Sequence, residues 1–237
     1  MVEKKQTIYI VIPAYNEASV IGDVVKGVRR TFRRSAYDFE VVVVNDCSKD
    51  DTAKVAQKAG ATVISHILNT GAGGATSTGL SFANRNNAFI AATMDADGQH
   101  DPKDVLKGVN IIMKNHQYDL LIGSRLIDSK GMSRVKILGN KGLSFVTYIL
   151  FGINTTDSQS GMRIFSHKAL QTLRWKTSGY EFCSEMLWRA KQQGLSISEY
   201  PIKAIYTEYS KGKGQNNWNA INIIKRLLKR RIGELFG

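Results

Sequence analysis

The sequence predicts an α/β protein: a single, mostly parallel, Rossmann-like sheet with helices on both faces. Three observations carry that prediction. Short, continuously apolar runs alternate with helical stretches through the first half of the chain. Runs of that kind, apolar on both faces, belong to parallel sheets covered by helices. Polar clusters at 13–17, 45–48 and 95–99 then follow three of the runs, at the strand ends where such sheets bind ligands.

Taken in order, residues 8–13 read as a strand and about 18–34 as a helix. Residues 39–44 form the second strand, followed by a helix over 51–59. The third strand is 61–64, with a helical stretch after the glycines at 71, 73 and 74. Residues 88–94 are the fourth; Asp101 then caps a helix that has Pro102 at its first position. A fifth strand covers 119–122. Beyond residue 125 the alternation fades: 136–153 reads as an apolar-rich helix, 168–176 and 180–193 as two more, and 197–206 as a strand. A polar loop at 211–217 leads to a helix from about Trp218 to the end.

A chain of 237 residues suits one domain with a full core, and 43% hydrophobic with 22% charged residues excludes disorder as the default. Cys47 and Cys183 make no disulfide framework and no zinc spacing, which suits a reducing cytosol. The start runs directly into a strand, so no signal peptide is expected. No apolar run approaches the roughly 20 residues of a membrane-spanning helix. The net charge of +13 favours anionic partners. No nucleic-acid motif is visible, so nucleotides and acidic lipid headgroups are expected and nucleic acid is not.

The excess charge crowds the end of the chain: Lys211, Lys213, Lys225, Arg226, Lys229, Arg230 and Arg231 face Glu234 alone. Ile221, Ile224, Leu228, Ile232 and Leu235 recur at steps of three and four, flanked by Trp218 and Leu227. That pattern fits a helix lying in a membrane interface, each cation near an anionic leaflet contributing about 1 kcal/mol. It fits equally a helix packing its stripe on the protein body. Residues 143–153, apolar nearly all round, suit either a second interfacial element or core.

The chemistry concentrates in Met94-Asp95-Ala96-Asp97-Gly98-Gln99-His100. Ionised carboxylates leaving water must be paired, hydrogen-bonded or on a metal. Strand alternation sets Asp95 and Asp97 on one side, and oxygen donors of this kind suit Mg²⁺ or Mn²⁺. A plain Asp-rich turn explains Asp101 but not these two. In Pro13-Ala14-Tyr15-Asn16-Glu17, Tyr15 can stack on a base and Glu17 hold its edge or ribose; a helix start capped by Asn16 is the alternative. Asp46 can accept a base N–H, while Ser48 or Asp50 caps the next helix. Gly71-Ala72-Gly73-Gly74 fails the dinucleotide pattern because position 76 is Thr. Arg125, Arg134 and Arg163 are candidate phosphate contacts, since guanidinium forks match phosphate oxygens. Gln171-Thr172-Leu173-Arg174-Trp175 spells a Gln-x-x-Arg-Trp motif, but it precedes the acidic 180–185 segment and reads as coincidence on a surface helix.

Together, Pro-Ala-Tyr-Asn-Glu at 13–17, Asn-Asp-x-Ser at 45–48, Asp-Ala-Asp-Gly-Gln at 95–99, Gly-Ser-Arg at 123–125 and Asp-x-x-Ser-Gly-x-Arg at 157–163 resemble glycosyltransferase family 2. More narrowly, they resemble its dolichyl-phosphate mannose synthase and polyprenyl-phosphate hexosyltransferase branch, over residues 7 to about 215. The resemblance implies a GT-A fold, a nucleotide-sugar donor, Mg²⁺ or Mn²⁺, and inversion at the sugar carbon. By matching position it implies Pro13, Tyr15, Glu17 and Asp46 for the nucleoside, Asp95, Asp97 and Gln99 for the metal, and Arg125 and Arg163 for phosphates. The mannose-synthase pattern places Ser four residues after its helical Arg. Here Leu138 follows Arg134, which loosens the assignment of Arg134 to an acceptor phosphate.

The expected activity is inverting transfer of a hexose, from a UDP-sugar in preference to GDP-mannose, to a polyprenyl phosphate. A phosphate monoester has a second pKa of about 6 and arrives ionised, so no general base is required. A saccharide hydroxyl acceptor, the rival expectation, needs one, and Glu181 or Glu185 are the candidates. A non-catalytic anion- or membrane-binding protein is the third, with steep salt dependence. The expected division is a GT-A domain over 1–215 and a basic amphipathic helix over 216–237. The expected place is cytoplasmic, peripherally on the inner face of the membrane.

Overall fold

The computed structural model describes residues 6–130, 132–206 and 218–235, without the side chains of 218–221, 232, 234 and 235. The elements are β1 (Thr7–Ala14), α1 (Ile21–Phe32), β2 (Asp38–Asn45), α2 (Thr52–Lys58), β3 (Thr62–Ser65), α3 (Gly71–Arg85), β4 (Ile90–Thr93) and α4 (Pro102–Lys114). They continue with β5 (Leu120–Ser124), α5 (Arg134–Phe151), β6 (Arg163–Ser166), α6 (His167–Thr172), α7 (Phe182–Gln192), β7 (Ile197–Pro201) and α8 (Trp218–Leu235). The polar loop expected at 211–217 lies outside the described residues.

One sheet of seven strands runs in the order β3-β2-β1-β4-β6-β5-β7. β1 pairs parallel with β2 and β4, β2 with β3, and β5 with β7. β6 is antiparallel to both its neighbours, β4 and β5. Alternation along the central strands feeds two cores. Ile8, Ile10 and Ile12 pack with Val24, Val25 and Val28 of α1 and Val105 and Val109 of α4. Tyr9 and Val11 face the other way, into a cluster with Leu80 of α3, Leu143 of α5, Leu170 of α6 and Met186 of α7. Both faces are therefore covered, as continuously apolar strands require.

Four features differ from expectation. The strand β6 is absent from the sequence reading, because four residues of Arg-Ile-Phe-Ser show too little periodicity. The helix expected over 168–176 stops at Thr172, and the strand expected over 197–206 stops at Pro201, a residue with no N–H to extend a ladder. The terminal helix α8 buries Ile223 and Leu227 in the cluster it shares with α5 and α7, and leaves Leu228 exposed. Its apolar stripe is thus split between body and solvent. Among the described residues no helix is long and apolar enough to cross a membrane.

Candidate active site

Parallel register sets Ala14 opposite Asn45, so the first two polar clusters leave the sheet side by side. They are stitched together there. The Asn16 N–H donates to Ser48 Oγ at 2.9 Å, the Lys49 N–H to Asn16 Oδ1 at 2.8 Å, and the Glu17 N–H to Thr52 Oγ1 at 2.8 Å. Asn16 therefore caps no helix; it takes a left-handed φ of 55° to make these bonds. Asp50 accepts from the Thr52 N–H and hydroxyl and from the Ala18 N–H. Pro13 and Glu17 are half-buried in this seam, and Tyr15 is exposed beside it.

Asp46 is buried. Its Oδ1 accepts from the Thr70 N–H at 2.8 Å and the Thr70 hydroxyl at 2.9 Å, and lies 2.8 Å from His66 Nδ1; its Oδ2 accepts from the Gly71 N–H at 2.8 Å. Burial alone raises a carboxyl pKa, but these bonds outweigh it and hold Asp46 below the usual range. Both oxygens are already engaged, so the direct work of Asp46 is to fix residues 66–71 and the start of α3. The glycines there serve close packing: a Cβ on Gly71 would lie 2.5 Å from the Ser178 carbonyl oxygen.

Asp95 and Asp97 follow β4. The Asp95 side chain is 43% exposed. Asp97 accepts from the Gln99 N–H at 3.0 Å and from Gln99 Nε2 at 2.7 Å, so the Gln99 amide nitrogen is turned to Asp97. Among the described residues neither carboxylate pairs with a lysine or arginine. Burial first, then the charge of Asp95, with a further contribution from Glu17, raises the Asp97 pKa. Two mutually repelling carboxylates of this kind fit a hard divalent cation. Among the described residues no three His, Cys, Asp or Glu side chains converge to hold an ion. An ion on this pair would complete its shell with phosphate oxygens and water, as Mg²⁺ commonly does.

Two neighbours complete the acid pair. Gly161 passes so close that a Cβ there would lie 2.1 Å from Asp95 Oδ1. The Tyr180 phenol has a raised pKa, from burial first and then the charges of Asp95, Cys183, Asp97 and Glu17. The charge of the acid pair thus reaches Tyr180, a relation that sequence spacing alone did not reveal. Two clefts of about 610 and 550 Å³ flank the 174–178 segment on either side and contain neither acid.

The arginines divide. Arg125 spends its fork on buried Asp157, with Nε 2.7 Å and Nη2 2.9 Å from the carboxylate oxygens. Arg163 is not a phosphate contact as placed here. It is 1% exposed, and its guanidinium donates to the Ser160 and Ser158 carbonyls at 3.1 and 2.8 Å. Buried backbone oxygens captured it, so it holds the 157–161 loop from beneath. Burial lowers its pKa, outweighing the opposing charges of Cys183, Asp157 and Asp95. Arg134 is exposed at the first residue of α5, after the N-cap Ser133, and makes no ion pair among the described residues. Lys136, two residues on, lies 4.5 Å over the Tyr206 ring.

The acids proposed as bases are engaged elsewhere. Glu181 pairs with Arg226 at 3.3 Å. Fully buried Glu185 accepts from the Lys176 and Thr177 N–H groups at 3.2 and 2.8 Å and pairs with Arg230 at 3.3 Å. Arg230 and Arg231 were expected to face a membrane. They turn inward, one to Glu185 and the other to the Trp188 ring at 5.6 Å. Ile224 is half-buried against the body, and the side chains of Trp218 and Ile221 lie outside the described set. Only Gln171 and Thr172 of the Gln-x-x-Arg-Trp run lie on α6; Trp175 stands beyond its end, its Nε1 donating to the Gly73 carbonyl at 3.2 Å.

The family model "Glycosyl transferase family 2" matches residues 9–174. An uncharacterized protein of Methanocaldococcus jannaschii is 42% identical over 96% of this chain and 93% of its own length. A Methanococcus voltae protein named UDP-N-acetylglucosamine–dolichyl-phosphate N-acetylglucosaminyltransferase is 40% identical, over 96% of this chain and 97% of its own. The undecaprenyl-phosphate mannosyltransferase of Micrococcus luteus is 27% identical over 86% and 85%. Among solved structures, mannosyl-3-phosphoglycerate synthase from Rubrobacter xylanophilus superposes with a TM-score of 0.70 at 18% identity, covering 97% of this chain and 74% of that one. Glucosyl-3-phosphoglycerate synthase from Mycobacterium tuberculosis, solved with Mn²⁺, uridine diphosphate and its product, gives 0.69 at 20% identity, covering 94% and 80%. The sheet order, the acid pair at its carboxyl edge and the matched family model agree: this chain has a GT-A fold and belongs to glycosyltransferase family 2.

Proposed function

We propose that the chain transfers a sugar from a UDP-sugar to a polyprenyl phosphate, with inversion, on the cytoplasmic face of a membrane. One observation carries the acceptor assignment. Among the described residues the two candidate bases, Glu181 and Glu185, are held by Arg226 and Arg230, while the start of α5 is exposed and cationic, with Lys136 over the ring of Tyr206, which in turn feels the charge of Arg125. A phosphate nucleophile arrives ionised and needs no base; a sugar hydroxyl needs one. The name of the 40%-identical Methanococcus relative supports this choice and makes UDP-N-acetylglucosamine the first donor to test.

The seam between residues 15–18 and 48–52 would hold the nucleoside, with Tyr15 stacking on the base and Pro13 and Glu17 lining it. Asp46 sets the opposite wall through Thr70 and Gly71. Asp95 and Asp97 would hold Mg²⁺ or Mn²⁺ against the diphosphate, Gln99 orienting Asp97. Such an ion supplies charge neutralisation for the leaving diphosphate. Arg125 lies close enough for Asp95 to raise its pKa together with Asp157; with Arg134 and Lys136 it would draw the lipid phosphate towards the sugar.

The membrane contact falls on α5. Val135, Leu138, Phe145, Tyr148 and Ile149 are exposed on one side of that helix, while Leu143, Thr147 and Phe151 are buried on the other. A helix apolar on both sides needs a second apolar surface. Its charges, Arg134, Lys136 and Lys141, are all positive, and α8 beside it adds exposed Lys225 and Lys229. An anionic leaflet satisfies both features. Residues 1–215 then form the catalytic domain and 216–237 a basic flank that helps to hold it down. Labelled UDP-N-acetylglucosamine, UDP-glucose and GDP-mannose, offered with Mn²⁺ to polyprenyl phosphate, free polyprenol and an oligosaccharide, test this. Label should reach the phosphate alone; transfer to either hydroxyl acceptor overturns the assignment.

A further inference from the structure

His100 closes the Asp-Ala-Asp-Gly-Gln-His run, and its side chain is 1% exposed. Its Nδ1 lies 3.1 Å from the Asp95 backbone nitrogen, which can only donate. Nδ1 must therefore carry the lone pair, and the neutral ring holds its proton on Nε2. Nε2 is buried and makes no hydrogen bond. Asp95 Oδ2 stands 3.7 Å from it, beyond hydrogen-bond reach. An orphaned buried donor is costly and rare, and this one is aimed at a carboxylate of the acid pair.

The ring is not adrift. His100 bridges to Ala204, and the Ile205 N–H donates to the Gln99 carbonyl at 2.9 Å. The ring is thus anchored at Nδ1 by the Asp95 main chain, and the backbone that carries it is tied to the 204–205 segment. Asp95, by contrast, is half-open to solvent, with Oδ1 against the Gly161 backbone and Oδ2 towards His100. The carboxylate can close the gap; the imidazole cannot easily follow it away.

We propose that His100 is a positioning residue for Asp95. When a divalent cation and a diphosphate occupy the site, Nε2–H donates to Asp95 Oδ2 and presents the other oxygen lobe to the cation. Metal-binding carboxylates are commonly held this way by a neighbouring donor, and loss of such a donor weakens metal affinity about 10–100-fold. The inference rests on the assignment of Asp95 to the metal–diphosphate site and adds a residue to it.

Two substitutions dissect the two ring nitrogens. Asn reproduces the Nδ1 acceptor near the main chain and supplies nothing at Nε2. Gln reaches the Nε2 position with an amide donor. Mn²⁺ affinity is measured by calorimetry on the full chain with UDP present, alongside the melting temperature without metal. His100→Asn should lose about 10-fold or more in Mn²⁺ affinity, and His100→Gln should recover most of it. The thermal midpoints, which report packing, should not follow that order. Equal Mn²⁺ affinity in wild type and His100→Asn, or equal loss in both variants, overturns the proposal while leaving the metal site standing. Wild type that binds no Mn²⁺ with UDP overturns both. As a check free of substitution, ¹⁵N spectra of the wild-type histidines with UDP should show the His100 Nε2–H move to a hydrogen-bonded shift on adding Mg²⁺. An unmoved signal refutes the contact.

Discussion

Gly161→Ala probes the acid pair without touching a titratable group. The added Cβ would stand 2.1 Å from Asp95 Oδ1, where real contacts stay beyond 3.0 Å, so the carboxylate must retreat by about 0.9 Å. Its terminal atoms are partly solvent-exposed and free to rotate, and the Gly161 backbone needs no left-handed φ. Folding therefore costs little, whereas the cation site loses its geometry. A displacement near 1 Å at a reacting centre costs on the order of 10²-fold in rate, or about 2.7 kcal/mol of barrier. Steady-state transfer with Mn²⁺, together with a thermal melt of the metal-free protein, reads both effects. The account expects kcat to fall about 100-fold with the melting temperature nearly unchanged. Full turnover would refute the placement of Asp95 in the reaction. Loss of activity with a collapsed melting temperature would reassign Gly161 to packing.

Asp46→Asn places an amide among donors that now bond a carboxylate, and should cost about 1–3 kcal/mol in urea unfolding and weaken UDP binding. The Asp46 pKa lies below its ordinary 3.8 when folded, so its stabilisation is present above that pH and lost as pH falls through the lower value. Wild type should lose more stability than the variant on acidification below about pH 4; parallel curves would remove the charge argument. Leu138→Ser with Phe145→Ser should lower partitioning onto anionic vesicles about 100-fold, from roughly 3 kcal/mol of lost apolar burial, while transfer to a short water-soluble polyprenyl phosphate persists. Unchanged vesicle binding would exclude α5 as the contact. Leu227→Ala should destabilise by about 2–5 kcal/mol in chemical denaturation, because α8 is packed on the body. A cost near zero would return α8 to the membrane.

The α/β alternation and the three edge clusters were legible because their physics is local. Val41-Val42-Val43-Val44 announces a strand buried on both faces, and Asp101-Pro102 announces a helix start that the structure reproduces, with Asp101 accepting from the Lys103 N–H. What was not legible depends on chain segments far apart. β6 exists because β4 and β5 leave a slot between them. Arg163 reads as a phosphate ligand until the Ser158 and Ser160 carbonyls close around it. On α8, steps of three and four admit two overlapping stripes, and only the surface of α5 and α7 selects Ile223 and Leu227. Arg230 faces inward because Glu185, 45 residues earlier in the chain, is buried there. Tyr180 carried no spacing signal, whereas His100 sits within the acidic run itself and only the aim of its buried ring at Asp95 had to come from the fold.

The central claim is a single cation shared between the acid pair and a donor diphosphate. Crystals of the full chain grown with UDP and Mn²⁺, measured at the manganese absorption edge, test it directly. The account predicts one anomalous peak bounded by the Asp95 and Asp97 side chains and the diphosphate oxygens. UDP seated at this edge with no peak there, or manganese found only elsewhere, would contradict it.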